Sequence, residues 1–200
     1  MKILIDNGHG EDTAGKRSPD GVLREYAYAR EVADLIVALL TADGYDAELL
    51  VPELRDVPLV VRTIRANKWC AKLGAGNVLL ISVHLDAAGH GGAWTTATGW
   101  SAYTSKGQTK SDILADYLYR EAMREFPAQT FRTDKRDGDL DKEEDFYILK
   151  NTKCAAVLTE NFFQDSRIDY PFLLDETTPA RIARVHARAI KAYIKAHANK

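Results

Sequence analysis

Two hundred residues, 46% hydrophobic and 28% charged, make a chain long enough to bury one sizeable core. A formal net charge of -2 with no long basic run excludes an electrostatic footprint for nucleic acid or an anionic membrane surface. Cys70 and Cys154 have neither CxxC nor zinc-finger spacing, so they read as reduced core residues and not as a disulfide framework. The first apolar run starts almost at residue 1, no charged-then-apolar leader precedes it, and no stretch approaches a membrane span. The expectation is synthesis in the cytoplasm without a signal peptide.

Ile3-Leu4-Ile5 is a short buried strand that breaks into Asp6-Asn7-Gly8-His9-Gly10 and delivers a histidine onto a loop. Residues 11–21 are polar and too many for a tight turn, which marks either a functional loop or a mobile one. Helical spacing of Val22, Leu23, Tyr26, Val32, Ile36, Leu39 and Leu40, stopped by Asp43-Gly44, predicts a helix over 22–43 with Glu25 in its first turn. Residues 47–51 read as a strand. Asp56 is the expected cap of a helix that carries Val57, Val60, Val61, Ile64 and Ala71 and ends near Gly74-Ala75-Gly76. Residues 77–87 form a second strong strand, apolar without interruption as expected for a parallel strand covered on both faces, and it also ends in a histidine, His84.

A loop over 88–92 precedes a third strand around 97–103, bracketed by Trp94, Trp100 and Tyr103. A helix over 111–126 turns Ile113, Leu114, Tyr117 and Leu118 inward. The dense charges of 134–145 read as a solvated loop. Residues 146–149 fit a short strand or a turn, and 155–160 a buried strand ending in the carboxylate of Glu160. Thr178 and Pro179 make an N-cap and N1 pair for a terminal helix with Ile182, Val185, Ala189, Tyr193 and Ile194 on its apolar side.

Strands alternating with helices imply an α/β fold: a single three-layer domain with a mostly parallel twisted sheet of about five or six strands and helices on both faces. Parallel strand ends share one edge of such a sheet, where open α/β folds carry their sites. His9, His84 and Glu160 converge there if their strands are neighbours, and Glu25 can face the same crevice. Two histidines and a carboxylate with a fourth position left to water are the ligand set of a catalytic zinc, and a second carboxylate would serve as base. Asp86 is either a ligand in place of Glu25 or, the preferred reading, an acceptor that orients an imidazole. His90, His186 and His197 read as structural, and Trp94 and Trp100 as packing more readily than as a substrate groove.

These residues resemble a known family, the zinc-dependent N-acetylmuramoyl-L-alanine amidases of bacterial autolysins and phage endolysins. The resemblance rests on Ile5 to Gly10 with the Gly15-to-Gly21 loop, on Leu23-Arg24-Glu25-Tyr26, on Arg62 to Asn67, on Ser82 to Ala87, and on Ala156 to Phe163. It implies His9, Glu25 and His84 as ligands of one Zn2+ and Glu160 as the catalytic carboxylate. The implied substrate is peptidoglycan, cut between N-acetylmuramic acid and L-alanine, with the cell wall reached by another export or lysis route. Glu11 stands where a second glycine is commoner, and Leu85-Asp86 where small or amide residues are frequent. No wall-binding repeat is present, so residues 1–200 read as one catalytic domain. The alternatives are a zinc peptidase acting on stem peptides and a non-catalytic wall-binding module on the same fold.

Overall fold

The protein's computed structural model describes residues 1–89, 92–136 and 138–197. Lys2–Asn7 forms β1, Asp46–Leu49 β2, Val78–Asp86 β3, Ser101–Thr104 β4, Lys142–Glu143 β5 and Ala155–Phe163 β6. They make one six-stranded sheet in the order β2-β1-β3-β6-β4-β5, in which only the β4–β6 pair is antiparallel. Helices α1 (Glu25–Ala42), α2 (Leu59–Leu73), α3 (Lys110–Glu125) and α6 (Thr178–His197) cover it, with single turns α4 (Tyr147–Lys150) and α5 (Tyr170–Leu173). The expected α/β class is found, with six strands and helices on both faces.

Alternation along each strand assigns the two faces. Ile3, Ile5, Leu79, Ile81, Val83 and Val157 pack with α1, α3 and α6, whereas Leu4, Leu80, Ala156 and Leu158 pack with α2 and α4. Burial on both sides is why β1, β3 and β6 read as continuous apolar runs. Among the described residues no helix is long and apolar enough to cross a membrane.

Several expectations are corrected. Helix α1 begins at Glu25, not at 22, because Ser18 and Leu23 bond each other twice (2.8 and 3.0 Å) and hold the preceding residues in a turn, leaving Val22 exposed. Asp56 does not cap α2, which starts after Pro58; its carboxylate takes Arg62 (2.9 Å) and the Thr13 hydroxyl (2.8 Å). Val60 and Ile64 are half-exposed, and α2 instead buries Arg62, Thr63, Ala66 and Cys70. The helix is rotated so that Arg62 reaches the buried Asp6 carboxylate (2.8 Å) and the Asn7 carbonyl (2.7 Å). Removing either partner of that ion pair would strand a buried charge, at a cost of about 3–5 kcal/mol.

In α3, Thr109 and Asp112 form a capping box, and Ile113 points outward while Tyr119 is fully buried. The charged stretch 134–145 is not wholly solvated: Asp141 is buried and accepts from the Thr104 hydroxyl (2.6 Å), and 142–143 add the edge strand β5. Residues 147–150 are a helical turn, not a strand. Thr178 spends its hydroxyl on the Phe172 carbonyl (2.8 Å) rather than on an N-cap bond.

Candidate active site

The strand order puts β1, β3 and β6 side by side, so their carboxyl ends meet. Gly8 donates to Val83 O (2.9 Å) and ties the end of β1 to β3. His9 follows with φ 62°, a left-handed conformation that turns the chain out of the sheet and its imidazole back over the strand ends. The 11–24 segment then returns, bonded through Glu25 N to Lys16 O (3.0 Å), and places Glu25 at the start of α1. Glu25 is 1% exposed.

One oxygen of Glu25, Oε1, lies 3.3 Å from His9 Nε2 and 3.1 Å from His84 Nδ1. The three side chains form the one cluster of metal-ligand type among the described residues, with a donor atom of each within 4.8 Å of the others. The chemistry and spacing fit zinc: bonds of about 2.0–2.1 Å in a tetrahedron put neighbouring donor atoms about 3.4 Å apart. The two imidazoles stand perpendicular, ring centroids 5.0 Å apart, so their nitrogens address one point from two directions.

Burial alone would raise the Glu25 carboxyl, but hydrogen bonds and charge from His84 and His9 outweigh it and hold the group well below the usual carboxylate range. Its outer oxygen Oε2 accepts from Gln164 Nε2 (2.8 Å), and the Leu85 N–H bonds Oε1 (3.2 Å). Glu160 sits directly opposite His84 in the β3–β6 register. Its Oε2 is buried and has no hydrogen-bond partner among the described residues. Burial first, and then the charges of Glu25 and Asp86, push this carboxyl well above its ordinary value against the pull of Lys16 and Lys142.

The contact expected of Asp86 with an imidazole is not among the hydrogen bonds of the described residues. Asp86 takes the N–H of Ala87 (2.8 Å), while His84 Nε2 meets the Ser82 hydroxyl (3.1 Å), which donates to Asp6 (2.6 Å). Asp6 and Ser82 are register partners on β1 and β3, and Ser82 shares a face with His84 two residues on. Two polar residues inside otherwise apolar strands were the available signal for this pair. Gln164 carries no such signal. It follows a bulge, the register stepping from His84–Glu160 to Asp86–Phe163, with Phe162 at φ 71°.

His186 is a core residue, its Nδ1 donating to Ile182 O (2.8 Å) and its Nε2 accepting from Thr159 (2.9 Å). His197 stacks on Tyr193 in the last turn of α6. His90 lies outside the described residues. Trp100 is fully buried against Tyr119 and Phe131 and donates to Asn161 (2.8 Å), and Trp94 packs edge-on to Tyr170. A cavity of about 210 Å³ opens beside the two histidines, lined by Val57, Pro58 and Leu59 together with Asp6, Asp56 and Arg62. A larger one, about 330 Å³, lies at the amino end of β6 near Lys110 and Lys153, away from the strand ends that carry the histidines.

The sequence pattern of the family described as N-acetylmuramoyl-L-alanine amidase matches residues 3–192. Over 192 residues the chain is 30% identical to N-acetylmuramoyl-L-alanine amidase CwlM of Bacillus licheniformis, covering 95% of this chain and 67% of that protein. It is 27% identical over 195 residues to the endolysin of Bacillus phage SPP1, covering 94% and 64%. The chain thus spans about two thirds of the length of these relatives. The fold is shared with amidase AmiC2 of Nostoc punctiforme at a TM-score of 0.81, 20% identity and coverage of 98% and 97% of the two chains. The catalytic domain of CwlV from Bacillus (Paenibacillus) polymyxa gives 0.80, 20% identity and coverage of 98% and 99%. With residues 3–192 accounted for by one family pattern, this chain belongs to the N-acetylmuramoyl-L-alanine amidase family.

Proposed function

We propose that this chain is a zinc-dependent amidase that hydrolyses the bond between the lactyl group of N-acetylmuramic acid and the L-alanine of a peptidoglycan stem. The observation that carries the reading is the meeting of His9 Nε2, Glu25 Oε1 and His84 Nδ1, with the Glu160 carboxyl on the register partner of His84. His9, Glu25 and His84 would hold one Zn2+. When bound there, zinc polarises a carbonyl and lowers the pKa of water to about 7.

Glu160 is the general base. Its Oε2 is buried and meets no hydrogen-bond partner among the described residues, which leaves that oxygen open to a proton from water. It takes one proton from the attacking water and returns it to the alanine nitrogen as the C–N bond breaks. The water oxygen stays on the lactyl carboxylate. Gln164 and Leu85 N–H keep Glu25 oriented while Glu160 cycles its proton.

Digestion of purified cell wall followed by mass spectrometry tests the reaction. Intact stems beginning with L-alanine, with muramic acid left bare and release abolished by a chelator, are expected; stems shortened at an internal peptide bond would indicate a peptidase instead. Glu160→Gln should retain zinc and lose about 10²–10⁴ in turnover. Near wild-type turnover in that variant would remove Glu160 from the role.

A further inference from the structure

We infer that Asp6 and Ser82 are positioning residues that fix which nitrogen His84 presents to the metal, an inference that rests on the metal reading proposed above. The chain of contacts is short and buried. Arg62 Nη1 donates to Asp6 Oδ1 (2.8 Å), the Ser82 hydroxyl donates to Asp6 Oδ2 (2.6 Å), and Ser82 Oγ lies 3.1 Å from His84 Nε2. Asp6, Ser82 and Arg62 are 1%, 0% and 2% exposed, so water does not substitute for any of them.

The proton assignment follows from inventory. A carboxylate only accepts, and an O···O separation of 2.6 Å is the length of a charge-assisted O–H···O⁻ bond, so the Ser82 proton is committed to Asp6. What Ser82 has left toward His84 is a lone pair. His84 Nε2 must therefore keep its hydrogen, and the nitrogen that can give up its proton to a cation is Nδ1, which donates to Glu25 Oε1 (3.1 Å) while no ion lies between them. With the opposite tautomer, lone pairs would face each other at Ser82 and the ring would present an N–H to the metal. Arg62 supplies the charge that balances Asp6, which gives a reason for an arginine on the inward face of α2.

Gly8 closes the arrangement. A Cβ there would fall 2.4 Å from His84 Cε1 and Nδ1, so the ring lies flat against a backbone already bonded to β3 and has no room to swing away from Ser82. The device holds a tautomer and a ring plane together.

The test is ¹⁵N spectroscopy of the histidines in protein loaded with ¹¹³Cd2+, together with zinc affinity measured by chelator competition. Metal coupling to His84 Nδ1 and a slowly exchanging Nε2–H are expected in the wild type. Ser82→Ala should lose the slow Nε2–H and about 10–100-fold in zinc affinity, with Ser82→Thr, which restores the hydroxyl, recovering both. Coupling to Nε2 in the wild type, or a Ser82→Ala protein with unchanged ring signals or unchanged affinity, overturns the inference. The wild-type spectrum decides even if the variants fail to fold. A wild type that takes up no ion would refute the metal reading, and its ion-free spectrum still tests this one, since a His84 Nε2 without a proton refutes it separately.

Discussion

Gly8→Ala isolates the geometry on which the site depends. The position has no positive φ that alanine would strain, so backbone cost is small. The cost is steric: the new Cβ would lie 2.4 Å from two atoms of the His84 ring and 2.8 Å from a third. Carbon contacts settle near 3.5 Å, so something must retreat by about 1 Å. The backbone at Gly8 is tied to Val83 O (2.9 Å) in the interior of the sheet, whereas His84 can change its torsions, so the ring moves. Metal–ligand distances tolerate about 0.2 Å, and a ring displaced by several times that distance no longer binds. Zinc affinity should fall by more than about 100-fold, beyond the usual effect of altering a ligand's outer partner. Chelator competition gives the affinity and thermal melting followed by circular dichroism shows that the sheet survives. An affinity within about threefold of wild type, under 1 kcal/mol, would refute the claim that His84 is fixed by close approach to Gly8.

Gln164→Leu removes the donor to the outer oxygen of Glu25 and leaves a buried carboxylate oxygen unsatisfied, so zinc affinity should drop roughly tenfold, and an unchanged value would deny Gln164 its orienting part. Phe162→Gly relieves a left-handed backbone worth about 1–3 kcal/mol but deletes a buried ring packed on Phe126 and Phe172, which costs about 3–5, so urea unfolding should show a net loss of roughly 2 kcal/mol. A gain in stability would mean that strain at the bulge outweighs packing. Burial lowers His186 to about 4 from 6.5; the unfolded chain binds that proton first, so this contribution is intact above pH 6.5 and shrinks by roughly 3 kcal/mol as pH falls to about 4. Asp141, raised by burial to about 7 from 3.8, acts in the opposite sense, its contribution present below 3.8 and lost as pH rises to about 7. Asp141→Asn should therefore gain stability over wild type at pH 7.5 relative to pH 4.5, and a difference independent of pH would contradict the assignment.

The fold and the four converging residues were legible because each follows an apolar run or opens a helix, and periodicity reports those positions. His9 follows the end of β1, His84 and Glu160 pair two and three residues before the ends of β3 and β6, and the parallel order of the three strands brings them together. What periodicity misreads is the helix that serves the site. The apolar pattern of α2 gives no hint that Arg62 faces inward, since its inward turn depends on an ion pair with Asp6 that is 56 residues distant in sequence. The same limit applies to Asp86, expected to orient an imidazole, whereas the side chain that meets His84 is Ser82, two residues away on the histidine's face. Gln164 was unreadable for a different reason, because the bulge at Phe162 changes which side chains point into the crevice, and no local composition announces it. The buried Asp141 was hidden in a run of charges whose average character is solvated.

In the proposed mechanism Glu25 and Glu160 have different tasks, and their surroundings differ accordingly. Both are withdrawn from water, which by itself raises a carboxyl. Glu25 escapes this because two imidazoles, the Gln164 amide and the Leu85 N–H converge on it, and it stays ionised far into acid. That retained charge is then one of the causes that raise Glu160, whose own Oε2 meets no donor among the described residues. The two groups differ in their donors: His9, His84, Gln164 and the Leu85 N–H converge on Glu25, whereas among the described residues none reaches Glu160 Oε2. In the function proposed above, the same crevice thereby separates an ionised ligand from a carboxyl whose hold on a proton is strengthened. Exchanging the donors would invert the roles, which makes the amide of Gln164, a residue that bonds neither histidine, part of what distinguishes the ligand from the base.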